Sequence, residues 1–421
     1  MAQASELCKV FFTTINKVYH ILREESFSEE LATYSRDPES ADLGWLALLC
    51  AVLSQGMLLQ QASTAWKPTS TSFSGRDEAE KLLETAQSCI AQTAFTARPT
   101  IAAIQCLCIT AVSRQLAPFS CYDTDSAWVL TGLILKLAYS LRLHDSKRIP
   151  DLSESEREKR EMLWHAIVHL ELRQSLTAGK PTMLRLRDLA SLQRVDSGFS
   201  NAAWVSALPV VAEILDEKHS AEPTALSRQS IAQYDYELRR LLRRADESDV
   251  ASTTVGIQHH QHIALTIFIR RTRLALHYPE SSEPDAFLHY PEGYWASLEC
   301  CLGLLALQRT LDECCQPSGC SWLAELFKED FYTAALTLCQ YLLQDVTRMG
   351  LAAPPLHADT GSSSGLQNHP KETVMETLRS CRDIWDRKKG LSFCQSMAYK
   401  VFNAVLKKIE EAETTGPTQG S

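Results

Sequence analysis

Several groups of side chains in this chain have the types and spacing that chemistry uses. Cys314, Cys315 and Cys320 fall in one short turn around Pro317 and Gly319, and three thiolates with a fourth ligand can hold a metal. His165 and His169 stand four apart, a spacing that puts two imidazoles on one helix face. His259, His260 and His262 crowd the start of a second apolar stretch. The run Gly361-Ser362-Ser363-Ser364-Gly365 spells Gly-x-Ser-x-Gly, the pattern of a serine exposed on a strained turn. Arg239, Arg240, Arg243 and Arg244 form a strip at helical spacing, and Arg270, Arg271 and Arg273 form another; each suits phosphate or an acidic protein surface.

Each group has a plainer reading once its surroundings are considered. A nucleophilic elbow needs a strand before it and a helix after it, whereas the Gly-x-Ser-x-Gly run sits in residues 352–371, a segment rich in Pro, Gly and Ser. That composition predicts a flexible loop. A zinc protease places Glu directly after the first histidine; here Ala166 follows His165. The three cysteines read as a turn with incidental thiols, and the second histidine group as a polar helix start. Glu237, Asp246 and Glu247 flank the first arginine strip, which fits a salt-bridged, solvated face. No phosphate-binding glycine loop, dinucleotide fingerprint, or spaced set of nucleophile, base and orienting group is found. The sequence therefore predicts no catalytic residue, no cofactor and no metal.

The elements that would position these groups are helices. Strand-type alternation is scarce, and apolar spacing is mostly three or four. From Trp128, the residues Leu133, Ile134, Leu137, Ala138 and Leu141 follow that period, with Gly132 and Ala138 leaving room for a neighbouring helix. After Pro150, Ser153 followed by Glu156 predicts a capping box and a new helix. That helix is charged through Arg160 and apolar from Met162 to Leu170, so it starts in solvent and ends in a core. Gly179 and Pro181 stop it.

Composition limits the function. The 421 residues carry a net charge of -9, which argues against sequence-independent wrapping of nucleic acid. No apolar run approaches the ~20 residues of a membrane span, since Lys136 interrupts the best candidate. The first residues lack a signal peptide's basic start and apolar stretch. Most of the 14 cysteines, among them Cys50, Cys106, Cys108 and Cys339, lie in apolar helical pattern, as expected of small buried hydrophobes. Together these features predict a soluble, intracellular protein without a membrane partner.

The stretch from Ser126 to Pro181 resembles the middle homology region of fungal transcription factors. Ser126, Trp128 and Gly132, then Leu143-His144, Leu163-Trp164, Glu171 and Gly179-Lys180-Pro181 follow that family's order. The departures are Arg142 for Gly, His165 for a second Trp, Glu171-Leu172 for an Asp-Arg pair, and Lys180 for Arg. The looser likeness extends over roughly residues 40–410. It implies an all-α, multi-helical, solenoid-like regulatory domain over residues 41–415, with a helical lead-in at 1–40, the loop at 352–371 and a disordered tail at 416–421. Length and the lack of a long linker favour one continuous assembly.

The family's regulatory domain usually accompanies a six-cysteine zinc cluster, and only Cys8 lies in residues 1–49. The resemblance thus implies a nuclear regulator, or one shared with the cytoplasm, of a metabolic or secondary-metabolite pathway. It would act through a protein partner such as a zinc-cluster transcription factor, with a small-molecule effector and without sequence-specific DNA binding of its own. Arg387-Lys388-Lys389 is a short basic run suited to nuclear import. The competing reading is an enzyme or ligand-binding protein on the same scaffold, centred on His144, His165, His169 or Glu171.

Overall fold

Apolar residues recurring at three and four positions do form helices. A computed structural model describes residues 2–64, 72–117, 123–194, 202–220, 226–251, 257–283, 285–313, 320–345 and 370–414. In chain order the helices are α1 (Ala2–Thr13), α2 (Ile15–Tyr19), α3 (Glu24–Arg36), α4 (Leu43–Thr64), α5 (Ser72–Gln92), α6 (Ile101–Leu116), α7 (Asp123–Ser140), α8 (Glu154–Ala178), α9 (Ala202–Lys218), α10 (Arg228–Ala251), α11 (Ile257–Ser281), α12 (Ala286–His289), α13 (Pro291–Glu313), α14 (Ser321–Leu326), α15 (Lys328–Asp345), α16 (Pro370–Lys388) and α17 (Phe393–Thr414). No strand occurs among the described residues, so the chain is all-α as the sequence predicts.

The chain divides into two compact units, where the sequence suggested one assembly. The first holds Met1–Ala117, Cys121–Thr272 and Cys315–Leu326; the second holds Pro118–Ser120, Arg273–Cys314 and Phe327–Ser421. Residue 40 is not a boundary in the packing. Helix α1 packs on α4, and a Cβ at Gly56 of α4 would collide with the backbone of Leu7, so glycine permits the close crossing. Residues 352–369 and 416–421 lie outside the described residues, while Pro370 and Lys371 open α16 instead of closing the expected loop.

In the first unit, helices close in sequence pack on one another: α4 on α5 and α6, α6 on α7, α7 on α8, and α9 on α10. This is the stacked, solenoid-like arrangement the sequence implied. Two stretches, Leu43–Gln60 and Asp125–Arg148, are long and apolar enough to cross a membrane, contrary to the sequence expectation. The first of them is enclosed by α1, α5 and α6, and a helix apolar all round is what such burial requires. Ser54 and Gln55 of α4 are also buried, donating to the Ala79 carbonyl and the Ser113 hydroxyl.

In the second unit, α13 packs on α15 and α16, and α17 packs on the same pair. Its interior is lined by Phe331, Leu338, Leu342, Phe402, Leu406 and Ile409. Arg273 is fully buried and pairs with Glu299 at 3.4 Å. Arg270, Arg271 and Arg273 therefore do not form an exposed basic strip: the first two are half-buried and the last is interior.

Candidate functional site

Helix α8 is the spine of the candidate site. Ser153 caps it by accepting from the Glu156 amide at 3.2 Å, and Gly179 ends it in the left-handed region at φ 63°. From Leu163 through Leu176 every residue except His165 is buried. The helix thus begins in solvent and ends in a core, as its sequence predicts.

The signature residues assemble around this spine. Trp164, 2% exposed, meets the ring of Tyr139 at 5.7 Å and that of His144 at 5.9 Å. Tyr139 and His144 lie edge to face at 4.9 Å. Leu143 and Leu163 are buried beside them. Trp128 does not share that interior: it is half-buried on α7, and its indole Nε1 donates to the Pro181 carbonyl at 3.3 Å. The first and last parts of the signature are thereby tied together across 53 residues. Ser126 is half-buried near the start of α7. Among the described residues it is Met183 that lies at Gly132, 3.0 Å from where a Cβ would stand.

Glu171 is the buried charge of the site. It is fully enclosed, and its Oε1 accepts from the Met183 amide at 2.9 Å. Burial raises its pKa, while the Met183 amide and the nearby hydroxyls of Thr131, Thr182 and Ser175 oppose that rise. The carboxylate therefore fastens the segment after Pro181 to α8. Leu172, where the family carries Arg, is fully buried. The buried guanidinium belongs instead to Arg173, which donates to Gln115 at 3.2 Å and to the Leu326 carbonyl at 2.8 Å.

Arg142, which replaces a family glycine, adopts φ 55° and ψ 39°. That is the left-handed conformation in which a side chain is strained and glycine is not. The departure read from the sequence thus has a local physical meaning.

Among the described residues the histidines do not form a metal-binding set. His169 is buried between Tyr19 at 4.8 Å and Trp204 at 4.0 Å, with Phe268 beyond at 5.6 Å. Burial lowers His165 to about 4 and His169 well below the ordinary range. His20, from the first helices, adds to both effects and is itself lowered to about 4 by burial. Sequence reasoning passed over His20, Arg173 and Trp204. Each lies far from the signature in chain order or adjacent to a mismatched residue within it, so no local pattern points to them.

The second histidine group also separates. His259 is exposed, His260 packs against Trp322 at 5.6 Å, and His262 faces Asp246 at 3.4 Å. Cys314, Cys315 and the Gly361–Gly365 run lie outside the described residues, while Cys320 is buried. Among the described residues, no group of three or more His, Cys, Asp or Glu is placed to hold a metal. Arg239, Arg240, Arg243 and Arg244 are exposed on α10, where Arg239 pairs with Asp235 at 2.6 Å. Arg387 pairs with Asp312, and Lys389 with Asp386 at 2.7 Å. A cavity of about 210 Å³ beside the end of the signature is lined by Pro181, Thr182, Leu215, Asp216, His219 and Ser220.

Comparison with known proteins brings this geometry to a family. Residues 8–288 match the fungal specific transcription factor domain. The transcription factor phm2 of Pyrenochaetopsis sp is 24% identical over 90% of this chain and 54% of its own length. The Zn(2)-C6 fungal-type transcription factor mpsB of Macrophomina phaseolina is 22% identical over 98% of this chain and 58% of its own. A chain in the structure of the K. lactis CBF3 core aligns with a TM-score of 0.56 and 15% identity, covering 97% of this chain and 79% of that one, a likeness of fold alone. The present chain spans a little over half the length of the two curated relatives.

Proposed function

The chain belongs to the fungal-specific transcription factor domain family, and from that premise we propose that it regulates transcription in the nucleus through a protein partner, with a zinc-cluster transcription factor as the partner class. The observation that carries this reading is the interior placement of the signature. Trp164 packs α8 against Tyr139 and His144, and Glu171 holds the segment after Pro181 to α8. An imidazole that burial keeps neutral, packed between aromatic rings, supports a fold more readily than it shuttles protons. The competing enzyme reading needs a nucleophile, a base and an orienting group in reach of one another. The pathway we propose is metabolic, in keeping with the sequence resemblance.

An effector role draws on a separate observation, the 210 Å³ cavity at Pro181, Asp216 and His219. Its polar lining suits a small polar molecule, and its place at the end of the signature gives an occupant access to the Glu171-held segment.

Deleting the gene in its host, followed by transcript sequencing, tests the main reading. A limited gene set is expected to change, and folded His144→Gln and His165→Gln variants are expected to restore it. Steady transcripts with one accumulating metabolite, together with turnover by the pure protein that one histidine substitution abolishes without unfolding, would favour the enzyme instead.

A further inference from the structure

Helix α17 has two apolar faces, and among the described residues only one is covered. Phe402, Leu406 and Ile409 are buried in the second unit at 1% exposure or less. On the other side Phe393 is 79% exposed, Met397 44% and Val401 46%. These three stand at i, i+4 and i+8, so they form one stripe along the helix. Leu391, 46% exposed, precedes the stripe. Single exposed apolar residues are ordinary, but a contiguous apolar patch rimmed by polar groups marks a docking surface.

The rim is cationic. Lys400, Lys407 and Lys408 are exposed on the same side of α17, and no carboxylate among the described residues pairs with them. Glu410 is turned away to Arg379 at 3.0 Å, and Glu411 follows at the distal end of the face. Anchors at i, i+4 and i+8 are what an amphipathic helix meets when it lies along another. The lysines choose its charge. A second copy of this chain would bring the same lysines to the same seam, where like charges repel.

We propose that the Phe393–Val401 face of α17 docks an acidic amphipathic helix of a partner protein. Phe393 and Met397 supply the apolar contact, and Lys400, Lys407 and Lys408 supply the charge match. This deepens the partner-dependent reading above, but the two are measured separately: a failed peptide titration leaves the transcript phenotype standing, and the reverse also holds.

The test titrates the full chain with two labelled synthetic helices of one apolar pattern, one flanked by Glu and one by Lys, followed by fluorescence anisotropy. The Glu-flanked peptide is expected to bind and the Lys-flanked one to bind at least ~10-fold more weakly. Phe393→Ser is expected to weaken binding by ~10-fold or more while leaving the melting temperature unchanged, because the ring is exposed. The triple variant Lys400→Glu, Lys407→Glu, Lys408→Glu is expected to reverse the preference between peptides. Binding of neither peptide, equal binding of both, or indifference to Phe393→Ser would each overturn the proposal. A dimer in sedimentation that Phe393→Ser dissolves would also overturn it, assigning the face to a second copy.

Discussion

In the second half of α8, His169, Glu171, Arg173, Gln174 and Ser175 are all 5% exposed or less, whereas at the start of α17 Phe393 leaves 79% of its surface in water. Residue type alone would assign the opposite. Among the polar groups of α8, Glu171 meets the Met183 amide, and Arg173 meets Gln115 and a backbone carbonyl. A buried polar group so matched loses little relative to water, while an unmatched one is costly. The apolar stripe of α17 is exterior because no described element lies over it. Burial in this protein is set by what the neighbouring helices supply.

Large-to-small substitutions break this comparison most sharply if it is wrong. Trp164→Ala removes a ring enclosed by Tyr139, His144 and the interior, and should cost ~3–5 kcal/mol in urea unfolding. Trp128→Ala removes a half-buried ring and one hydrogen bond at 3.3 Å, and should cost about 1–2 kcal/mol. Equal losses would show that the two tryptophans share one core after all, and an unchanged Trp164→Ala variant would show that α8 is not the spine described.

Acid probes the same interior. His20 and His165 are held at about 4, and His169 well below its ordinary value, by burial; in the unfolded chain a histidine titrates near ~6.5. The folded state therefore binds fewer protons, so its stability is full above pH ~6.5 and declines as pH falls toward about 4. The urea midpoint should drop between pH 7 and pH 5, and His169→Phe should flatten part of that slope. A midpoint independent of pH over this range would mean that the imidazoles are hydrated in the folded protein.

The smallest effect expected is a gain. Arg142→Gly relieves a left-handed residue and should stabilise the protein by about 1 kcal/mol, because the exposed Arg142–Asp145 contact at 3.8 Å is worth little in water. A higher urea midpoint at unchanged slope would confirm it. A loss would mean that the Arg142 side chain does more than its surface position suggests.

Much of this architecture was legible in local spacing. Ser153 and Glu156 announced the start of α8, Gly179 its end, and the shift from charged to apolar residues its passage from solvent to core. These features depend on neighbours within a few residues, so one chain is enough to read them. Pro279 lying within α11 shows where tertiary packing overrode local preference.

The candidate site was legible only in part, and the division has a physical cause. The residue types, the caps and the helical period belong to the sequence, because they follow from bonding within a few turns. Which of those residues meet is decided by packing across long separations. Trp128 finds Pro181, Arg173 finds Gln115 and Leu326, and His169 lies between Tyr19 and Trp204. No period in the sequence encodes such pairs. Arg142 shows both levels at once: its mismatch with the family was visible in the chain, while the left-handed backbone that gives the mismatch a cost exists only once α7 has ended and the chain has turned toward α8.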